Sequence, residues 1–221
     1  MALLTRLMEK NRVTRIPSLL IARSCKRMNN RGYYTNLDLA EEVLSIIPSA
    51  LSPEECRALI DLSESVGYAP ATIEGKLDGP QGFNVSQGRY NDRSAVEDTA
   101  LADALWRRLH RRVPAQIDGR KVVGLNERLR FYRYEVGQKF SAHTDGYYLR
   151  GNSERSLLTM IIYLNDGYTG GEAFFLKSET LIAPKAGTLL LFTHSLWHEG
   201  RVVTAGRKYI MRTDVMYEME V

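Results

Sequence analysis

The pair His143-x-Asp145 is the stretch of this chain whose residue types are best suited to metal chemistry. On a strand, residues i and i+2 point to the same side, so an imidazole and a carboxylate at this spacing can grip one metal ion. His194 and His198 compete for the place of a third ligand, whereas His110 belongs to a predicted helix and is treated as structural. A 2-His-1-carboxylate face holds Fe(II) and leaves its other positions open. Alone, such a pair is weak evidence for a metal site, because most His-x-Asp pairs are accidental polar pairs at a strand end.

The residues after His198 suit a 2-oxo acid as the electron source for oxygen chemistry. Such a cosubstrate chelates the metal and also carries a distal carboxylate, which needs a fixed cation once it is buried. Lys208 or Arg207, just beyond the turn residue Gly206, meets that need. Neighbouring residues of a strand point to opposite faces, so if Lys208 points inward, Arg207 points outward and is the weaker candidate.

Two helices and an early strand are predicted in the first half of the chain. Val43 to Ile47 read as a strand. Ser52, Pro53 and Glu55 form the N-cap, N1 and N3 positions of a helix with a capping box, which Gly67 ends. A second helix is predicted from Asp98 or Thr99 to His110 or Val113. Residues 69–94, rich in glycine, read as a long loop of the kind that forms lids or binding segments.

From about residue 121 the hydrophobic period changes to two, which predicts strands separated by turn residues. The predicted strands cover 122–123, 129–134, 157–164, 173–176, 187–192 and 209–217. Many short strands at this spacing indicate a sandwich or a barrel. The predicted fold class is therefore mainly β with flanking helices.

An ordered set of motifs resembles the 2-oxoglutarate and Fe(II)-dependent dioxygenases of the prolyl 4-hydroxylase type. The motifs span roughly residues 127–217 and are His143-x-Asp145, Tyr163-Leu164-Asn165-Asp166, Gly170-Gly171-Glu172 with Phe174, Pro184-x-x-Gly187 with Leu189 and Phe192, His198-Glu199-Gly200, Val203, Gly206 and Lys208-Tyr209. The resemblance implies a double-stranded β-helix, or jelly roll, with a catalytic core at about 121–217. It also implies that His143, Asp145 and His198 are the Fe(II) ligands.

The same resemblance implies a binding site for the cosubstrate 2-oxoglutarate. The family's basic residue corresponds to Lys208, and its tyrosines correspond to Tyr134 and Tyr163, whose hydroxyls can bond a carboxylate. The implied reaction uses O₂, hydroxylates a C–H bond and releases succinate and CO₂, with ascorbate as a candidate accessory cofactor. Without the metal pattern, both tyrosines would be read as core residues of strands.

The substrate is expected to be a protein side chain, with proline as one candidate, or a small molecule. Arg212 and Asp214 share a strand face with Lys208 and are candidate substrate-binding residues, or they merely pair with each other. Arg93 is a third candidate, with a surface ion pair as its alternative. Two other functions remain open: a non-catalytic jelly-roll module that binds metal, and a nucleic-acid demethylase of the same fold. A nucleic-acid partner is disfavoured because the expected arginine spacing is absent.

Charge and composition divide the chain into a basic leader and a domain predicted at 42–221. The net charge is +4, but residues 1–34 hold eight Lys and Arg against one Glu, so the remainder carries about −3. Such a leader is typical of a mitochondrial transit peptide, with a disordered tail or an extra piece of the domain as alternatives. The expected location is intracellular: mitochondrial if the leader acts as a targeting signal, and cytoplasmic otherwise. Two cysteines predict no disulfide framework, and no apolar run is long enough for a membrane helix.

Overall fold

The computed structural model describes residues 39–71 and 89–219 together with the backbone of Tyr33–Tyr34. The predicted leader up to residue 32 and the middle of the predicted loop, residues 72–88, lie outside the described residues. The helices are α1 (Pro53–Val66) and α2 (Thr99–Leu109), and a 3₁₀ turn at His110–Arg112 follows the second. The strands in chain order are β1 (Tyr33–Tyr34), β2 (Leu44–Ile47), β3 (Ala69–Pro70), β4 (Arg89–Tyr90), β5 (Asp92–Glu97), β6 (Gln116–Ile117), β7 (Arg120–Leu125), β8 (Arg128–Tyr134), β9 (Lys139–His143), β10 (Tyr147–Arg150), β11 (Glu154–Tyr163), β12 (Thr169–Gly170), β13 (Ala173–Phe175), β14 (Thr180–Ile182), β15 (Leu189–Thr193), β16 (His198–Gly200), β17 (Val203–Ala205) and β18 (Lys208–Glu218).

Helix α1 begins and ends where its sequence signals predict. The Ser52 side chain accepts a hydrogen bond from the Glu55 backbone N–H, and the Glu55 side chain accepts one from Ser52 N, which completes the capping box. Gly67 follows the last turn with a φ of 88°, a conformation that glycine adopts without strain. The helix buries Cys56 and Leu59 against the sheet.

The main sheet is built around its two longest strands, β11 and β18, which pair antiparallel from Glu154↔Glu218 to Tyr163↔Ile210. Strand β18 also pairs with β8 and β7, and β11 also pairs with β10 and β15. The order β1-β10-β11-β18-β8-β5-β3 extends the sheet to both sides. A smaller sheet has the order β14-β13-β16-β9-β4, and β12 pairs with β17.

Two apolar cores show how the layers are stacked. One core lies between the helices and the main sheet and includes Leu105, Phe131 and Met211. The other lies between the two sheets, where the Phe175 ring of the smaller sheet meets the Phe192 ring of the main sheet edge to face at 5.1 Å. The predicted mainly β fold, with two facing sheets and helices packed on one side, is confirmed.

The structure differs from the sequence-based expectation at two places that bear on the site. Residues 69–94 are not all loop, because β3 pairs with β5 and β4 pairs with β9 at its two ends. In addition, β9 ends at His143, so Asp145 does not lie on the same strand. Asp145 is instead held by a bond from its backbone N–H to the His194 carbonyl, 2.9 Å away. Within the described ranges, no helix combines the length and apolar character needed to cross a membrane.

Candidate iron and 2-oxoglutarate site

The three predicted metal ligands meet at the seam between the two sheets. His143 and His198 are directly opposite each other on β9 and β16 of the smaller sheet. Asp145 follows two residues later, so that one ligand atom from each of the three residues lies within 4.8 Å of the others. Of the two histidines that competed for the third place, it is therefore His198 that lies with His143 and Asp145.

Backbone carbonyls fix the orientation of both imidazoles. Nδ1 of His143 lies 2.8 Å from the Ser141 carbonyl, and Nδ1 of His198 lies 2.9 Å from the Leu196 carbonyl. Because a carbonyl can only accept, each Nδ1 must carry the proton, which leaves each Nε2 with a free lone pair. The two Nε2 atoms lie 3.7 and 3.8 Å from the Asp145 carboxylate oxygens.

The electrostatics of the triad also suit a metal. Burial, helped by the neighbouring His198, lowers the pKa of His143 to about 3, and burial lowers the pKa of His198. Both rings are therefore neutral at pH 7. Burial alone would raise the pKa of Asp145, but the Arg212 guanidinium and the neighbouring histidines together outweigh it and hold this pKa well below its usual range. Two neutral imidazoles and one carboxylate are the donor set that Fe(II) takes in a facial triad.

The atom His143 Nε2 provides a test of whether the residues fit a metal. It is buried, and among the described residues it has no hydrogen-bond partner. A buried, unsatisfied nitrogen is costly unless something binds it. A divalent cation between His143, Asp145 and His198 would satisfy it, so the residues fit the group.

Two side chains of the main sheet donate hydrogen bonds to the Asp145 carboxylate. Arg212 Nη1 of β18 donates to one carboxylate oxygen at 2.5 Å, and the Thr159 hydroxyl of β11 donates to the other at 2.6 Å. His194 is fully buried behind them and contacts Thr159 and Ser156, each at 2.8 Å. Since the Thr159 proton points to Asp145, His194 Nδ1 donates to Thr159 and Nε2 accepts from Ser156. Both ring nitrogens of His194 are thus engaged by hydroxyl groups.

Lys208, the predicted cation for the cosubstrate, lies at the start of β18. Its ammonium is buried, donates to the Gly171 carbonyl, and lies 5.2 Å from the centroids of both the Tyr134 and the Tyr163 rings. Burial lowers the pKa of Lys208 to about 8, against a weak opposing effect of Glu172. Within the described part of the chain no carboxylate forms an ion pair with this ammonium, so it is suited to receive the carboxylate of a ligand.

Three predicted substrate residues are placed differently from one another. Arg212 and Asp214 are buried and 3.5 Å apart, so they pair with each other, as the sequence left open. Asp214 also pairs with Arg130 at 2.6 Å. Arg93 lies on β5 beside Tyr132 of β8. Arg207 is half exposed and pairs with Glu135, as expected for the outward residue.

Sequence reasoning missed Thr159 and Ser156, although both interrupt an otherwise apolar strand with hydroxyl groups. That interruption is the one signal that marks them, because a buried hydroxyl needs a partner. Which partner it finds depends on how β11, β15 and β18 are aligned, and this alignment is not visible in a local pattern.

Comparisons with known proteins agree with the geometry. Residues 129–213 match the sequence profile of the 2OG-Fe(II) oxygenase superfamily. A 73-residue segment is 36% identical to "Probable prolyl 4-hydroxylase 11" of Arabidopsis thaliana. That match covers 30% of this chain and 24% of the relative, so the chain spans about a quarter of the relative's length.

Solved structures of low identity share the fold. The viral collagen prolyl hydroxylase of Paramecium Bursaria Chlorella virus-1, in its 2OG complex, has a TM-score of 0.58 at 22% identity and covers 78% of this chain and 95% of its own. A Trichoplax adhaerens prolyl hydroxylase bound to a hypoxia inducible factor peptide has a TM-score of 0.59 at 17% identity, covering 78% and 82%. Residues 129–213 of this chain are therefore similar to the 2OG-Fe(II) oxygenase superfamily, and a short segment is similar to a probable prolyl 4-hydroxylase.

Proposed function

We propose that this protein is an Fe(II)- and 2-oxoglutarate-dependent dioxygenase that hydroxylates a C–H bond and forms succinate and CO₂. The observation that carries the proposal is the pairing of a His143, Asp145 and His198 triad with the buried cation Lys208. A metal triad alone would serve many functions, and a buried lysine alone would serve several. Their combination on facing sheets matches a cosubstrate that chelates metal at one end and carries a carboxylate at the other.

Each residue of the site has a distinct task in this reaction. His143, Asp145 and His198 would hold the metal, with its remaining positions left to the cosubstrate and O₂. The bound iron, with 2-oxoglutarate and O₂, supplies the oxidising power for breaking the C–H bond. Lys208 binds the distal carboxylate and so fixes how 2-oxoglutarate approaches the metal. The rings of Tyr134 and Tyr163 keep bulk water from this ammonium, and burial raises the pKa of Tyr163, whose hydroxyl stays protonated as a donor.

The substrate class we propose is a protein side chain, with proline as the leading candidate. Support comes from the prolyl hydroxylases among the relatives and from the Trichoplax adhaerens enzyme, which was captured with a peptide. A small-molecule substrate remains the alternative. Ascorbate, as an agent that returns iron to Fe(II), and a mitochondrial location directed by the basic leader are further parts of this proposal.

Anaerobic titration with Fe(II) and 2-oxoglutarate tests the proposed site. The chelate of a 2-oxo acid on Fe(II) gives a weak visible charge-transfer band, which we expect in the parent protein. His143→Ala, Asp145→Asn and His198→Ala should lose the band, whereas His110→Ala, a histidine on the exposed 3₁₀ turn, should retain it. If the triad variants show the band as strongly as the parent, the site is wrongly placed.

Turnover separates the enzyme from the alternative functions. Succinate formation that depends on O₂ and is stimulated by a proline-containing peptide would support the proposal. A protein that gains thermal stability from metal but forms no succinate with peptides or small molecules would instead be the non-catalytic module. Succinate formation stimulated only by alkylated nucleic acid would point to the demethylase.

A further inference from the structure

The outer face of the smaller sheet carries large apolar side chains that contact solvent. Successive residues of a strand point to opposite faces of the sheet. Phe175, Ile182 and His198 point inward and are buried between the two sheets. The residues next to them on β13, β14 and β16, or one step beyond the end of the strand, point outward. Four of these outward residues are large and apolar, and we call them the sheet patch: Phe174, Leu176, Leu181 and Trp197.

The strand register makes the sheet patch continuous. Phe174 lies directly opposite Leu181, so these two side chains are neighbours across β13 and β14. On the other side of β13, the Leu176 backbone N–H donates to the Trp197 carbonyl at 3.0 Å. Phe174 and Leu176 are two residues apart and share a face. Neighbours of these kinds lie about 5–7 Å apart, so the four side chains form one surface across three strands.

Three of the four side chains are widely open to solvent. Trp197 is 54% exposed, Leu181 is 51% exposed and Leu176 is 39% exposed. Phe174 is half-buried beneath the Arg201 guanidinium, which lies 4.6 Å from the centroid of its ring. Single exposed apolar side chains are common, but a contiguous group of large ones marks an interaction surface. Tryptophan is also enriched among the residues that contribute most to protein interfaces.

The charged side chains around the sheet patch indicate the kind of partner. Lys177 and Glu179 lie in the turn between β13 and β14, whereas Glu199 and Arg201 lie on β16 and just after it. Both signs of charge are therefore present, whereas a nucleic acid or an anionic membrane requires an excess of positive charge. Lys177 pairs with Glu42, and Arg201 pairs with Glu199. Pairs as exposed as these contribute little stability, so they can exchange partners at small cost.

We propose that the sheet patch is the interface through which two copies of this chain pair about a two-fold axis. Three adjacent strands present a sheet face, and such a face packs well against another sheet face, whose side chains interdigitate with its own. A two-fold axis across β13 brings the Lys177 and Glu179 end of one copy to the Glu199 and Arg201 end of its partner, so opposite charges meet at both ends.

The proposed interface is separate from the candidate iron site. His198 points to the inner face of β16, whereas Trp197 and Glu199 on either side of it point outward. Pairing through the sheet patch therefore leaves the three candidate metal ligands enclosed within each copy. The inference consequently does not depend on the proposed function.

Sedimentation equilibrium of the full chain tests whether the pair forms. We expect a reversible change from monomer to dimer between about 1 and 200 μM, because interfaces of modest quality have micromolar affinities. Tryptophan fluorescence then shows which face is involved. The chain has two tryptophans, so Trp106→Phe leaves Trp197 as the sole emitter. Its emission should shift to shorter wavelength over the same concentrations as the change in mass, since pairing removes Trp197 from water.

Substitutions in the sheet patch test its role directly. Leu181→Lys should raise the dissociation constant of the dimer about tenfold or more, because a charge buried in an apolar interface is costly. Leu181→Met keeps an apolar side chain and should behave as the parent does. Val123→Lys is the matched control, since Val123 is 37% exposed on β7 of the main sheet, and it should leave the dissociation constant unchanged. Leu176→Lys repeats the test at a second position if circular dichroism shows that Leu181→Lys does not fold.

Three results would overturn the inference. The first is a chain that stays monomeric over the whole concentration range, which would leave the sheet patch to a different partner. The second is a dimer in which the Trp197 emission does not shift, because that dimer pairs through another face. The third is a dissociation constant that Leu181→Lys or Leu176→Lys changes no more than Val123→Lys does.

Discussion

Replacing Lys208 by methionine should stabilise the ligand-free protein and at the same time abolish tight binding of 2-oxoglutarate. Burial lowers the pKa of this ammonium from 10.5 to about 8. At about 1.4 kcal/mol per pH unit, that lowering costs the folded, ligand-free protein roughly 3 kcal/mol at pH 7. Methionine has a similar unbranched side chain and no charge, so Lys208→Met removes this cost.

The cost depends on pH with a definite sign. Between pH 8 and about 10.5 the unfolded chain retains the lysine proton that the folded chain has lost, so the stability of the ligand-free protein rises with pH in this window. Lys208→Met removes that rise. In the parent protein, 2-oxoglutarate requires the charged ammonium, so its affinity should fall above pH 8 by up to about tenfold per pH unit.

The loss of affinity in Lys208→Met follows from leaving a carboxylate buried without its cation. Breaking one partner from a buried ion pair costs about 3–5 kcal/mol, which corresponds to a Kd for 2-oxoglutarate that is roughly a hundred to several thousand times higher. Calorimetric titration with 2-oxoglutarate on Mn²⁺-loaded protein measures the affinity, and urea denaturation of the ligand-free protein measures the stability. Lys121→Met, on an exposed position of β7, is the control and should change neither. A Lys208→Met variant that is destabilised, or that binds 2-oxoglutarate within a few-fold of the parent, would refute the assignment of Lys208.

Two further predictions concern residues that touch the site only indirectly or not at all. Gly171 has a φ of 68°, and a Cβ there would lie 3.1 Å from Lys208 Cδ, so Gly171→Ala should raise the Kd for 2-oxoglutarate several-fold and cost about 1–2 kcal/mol of stability. Gly119→Ala has a similar φ of 77° but no neighbour within 4 Å, so it should share the loss of stability and leave the affinity unchanged. Ser52→Ala removes the N-cap of α1 and should lower the free energy of unfolding by about 1 kcal/mol in urea denaturation, with 2-oxoglutarate affinity unaltered. An equal effect of both glycine variants on the affinity would contradict the proposed contact with Lys208.

Features that depend on a few neighbouring residues could be predicted from the sequence. The capping box at Ser52 and Glu55 fixed the start of α1 because its bonds join residues three apart. Six strands from residue 121 onward followed from alternation, although their ends differ by up to three residues, whereas β9, β10, β12, β14, β16 and β17 were not among the predicted ranges. The metal triad could be predicted because His143 and Asp145 are close in the chain and because a family resemblance supplied His198.

Contacts made by strand register could not be predicted. Nothing in the local pattern shows that Arg212 of β18 reaches Asp145, 67 residues earlier, rather than a substrate. The same holds for His194, which the sequence left as a competitor for the third ligand position and which the structure buries completely. The place where β9 ends was also missed, because Asp145 is held by the carbonyl of His194, a residue distant in the chain.

The three candidate metal ligands are attached to two different sheets. His143 and His198 belong to the smaller sheet, whereas Asp145 is fastened to the main sheet through Thr159 and Arg212. A metal ion at this point would act as a cross-link between two layers that are also joined by apolar contacts such as Phe175 with Phe192. The spacing of the ligands therefore depends on how the two layers pack against each other. Packing changes far from the triad can thus alter the affinity of the site for metal without changing a ligand.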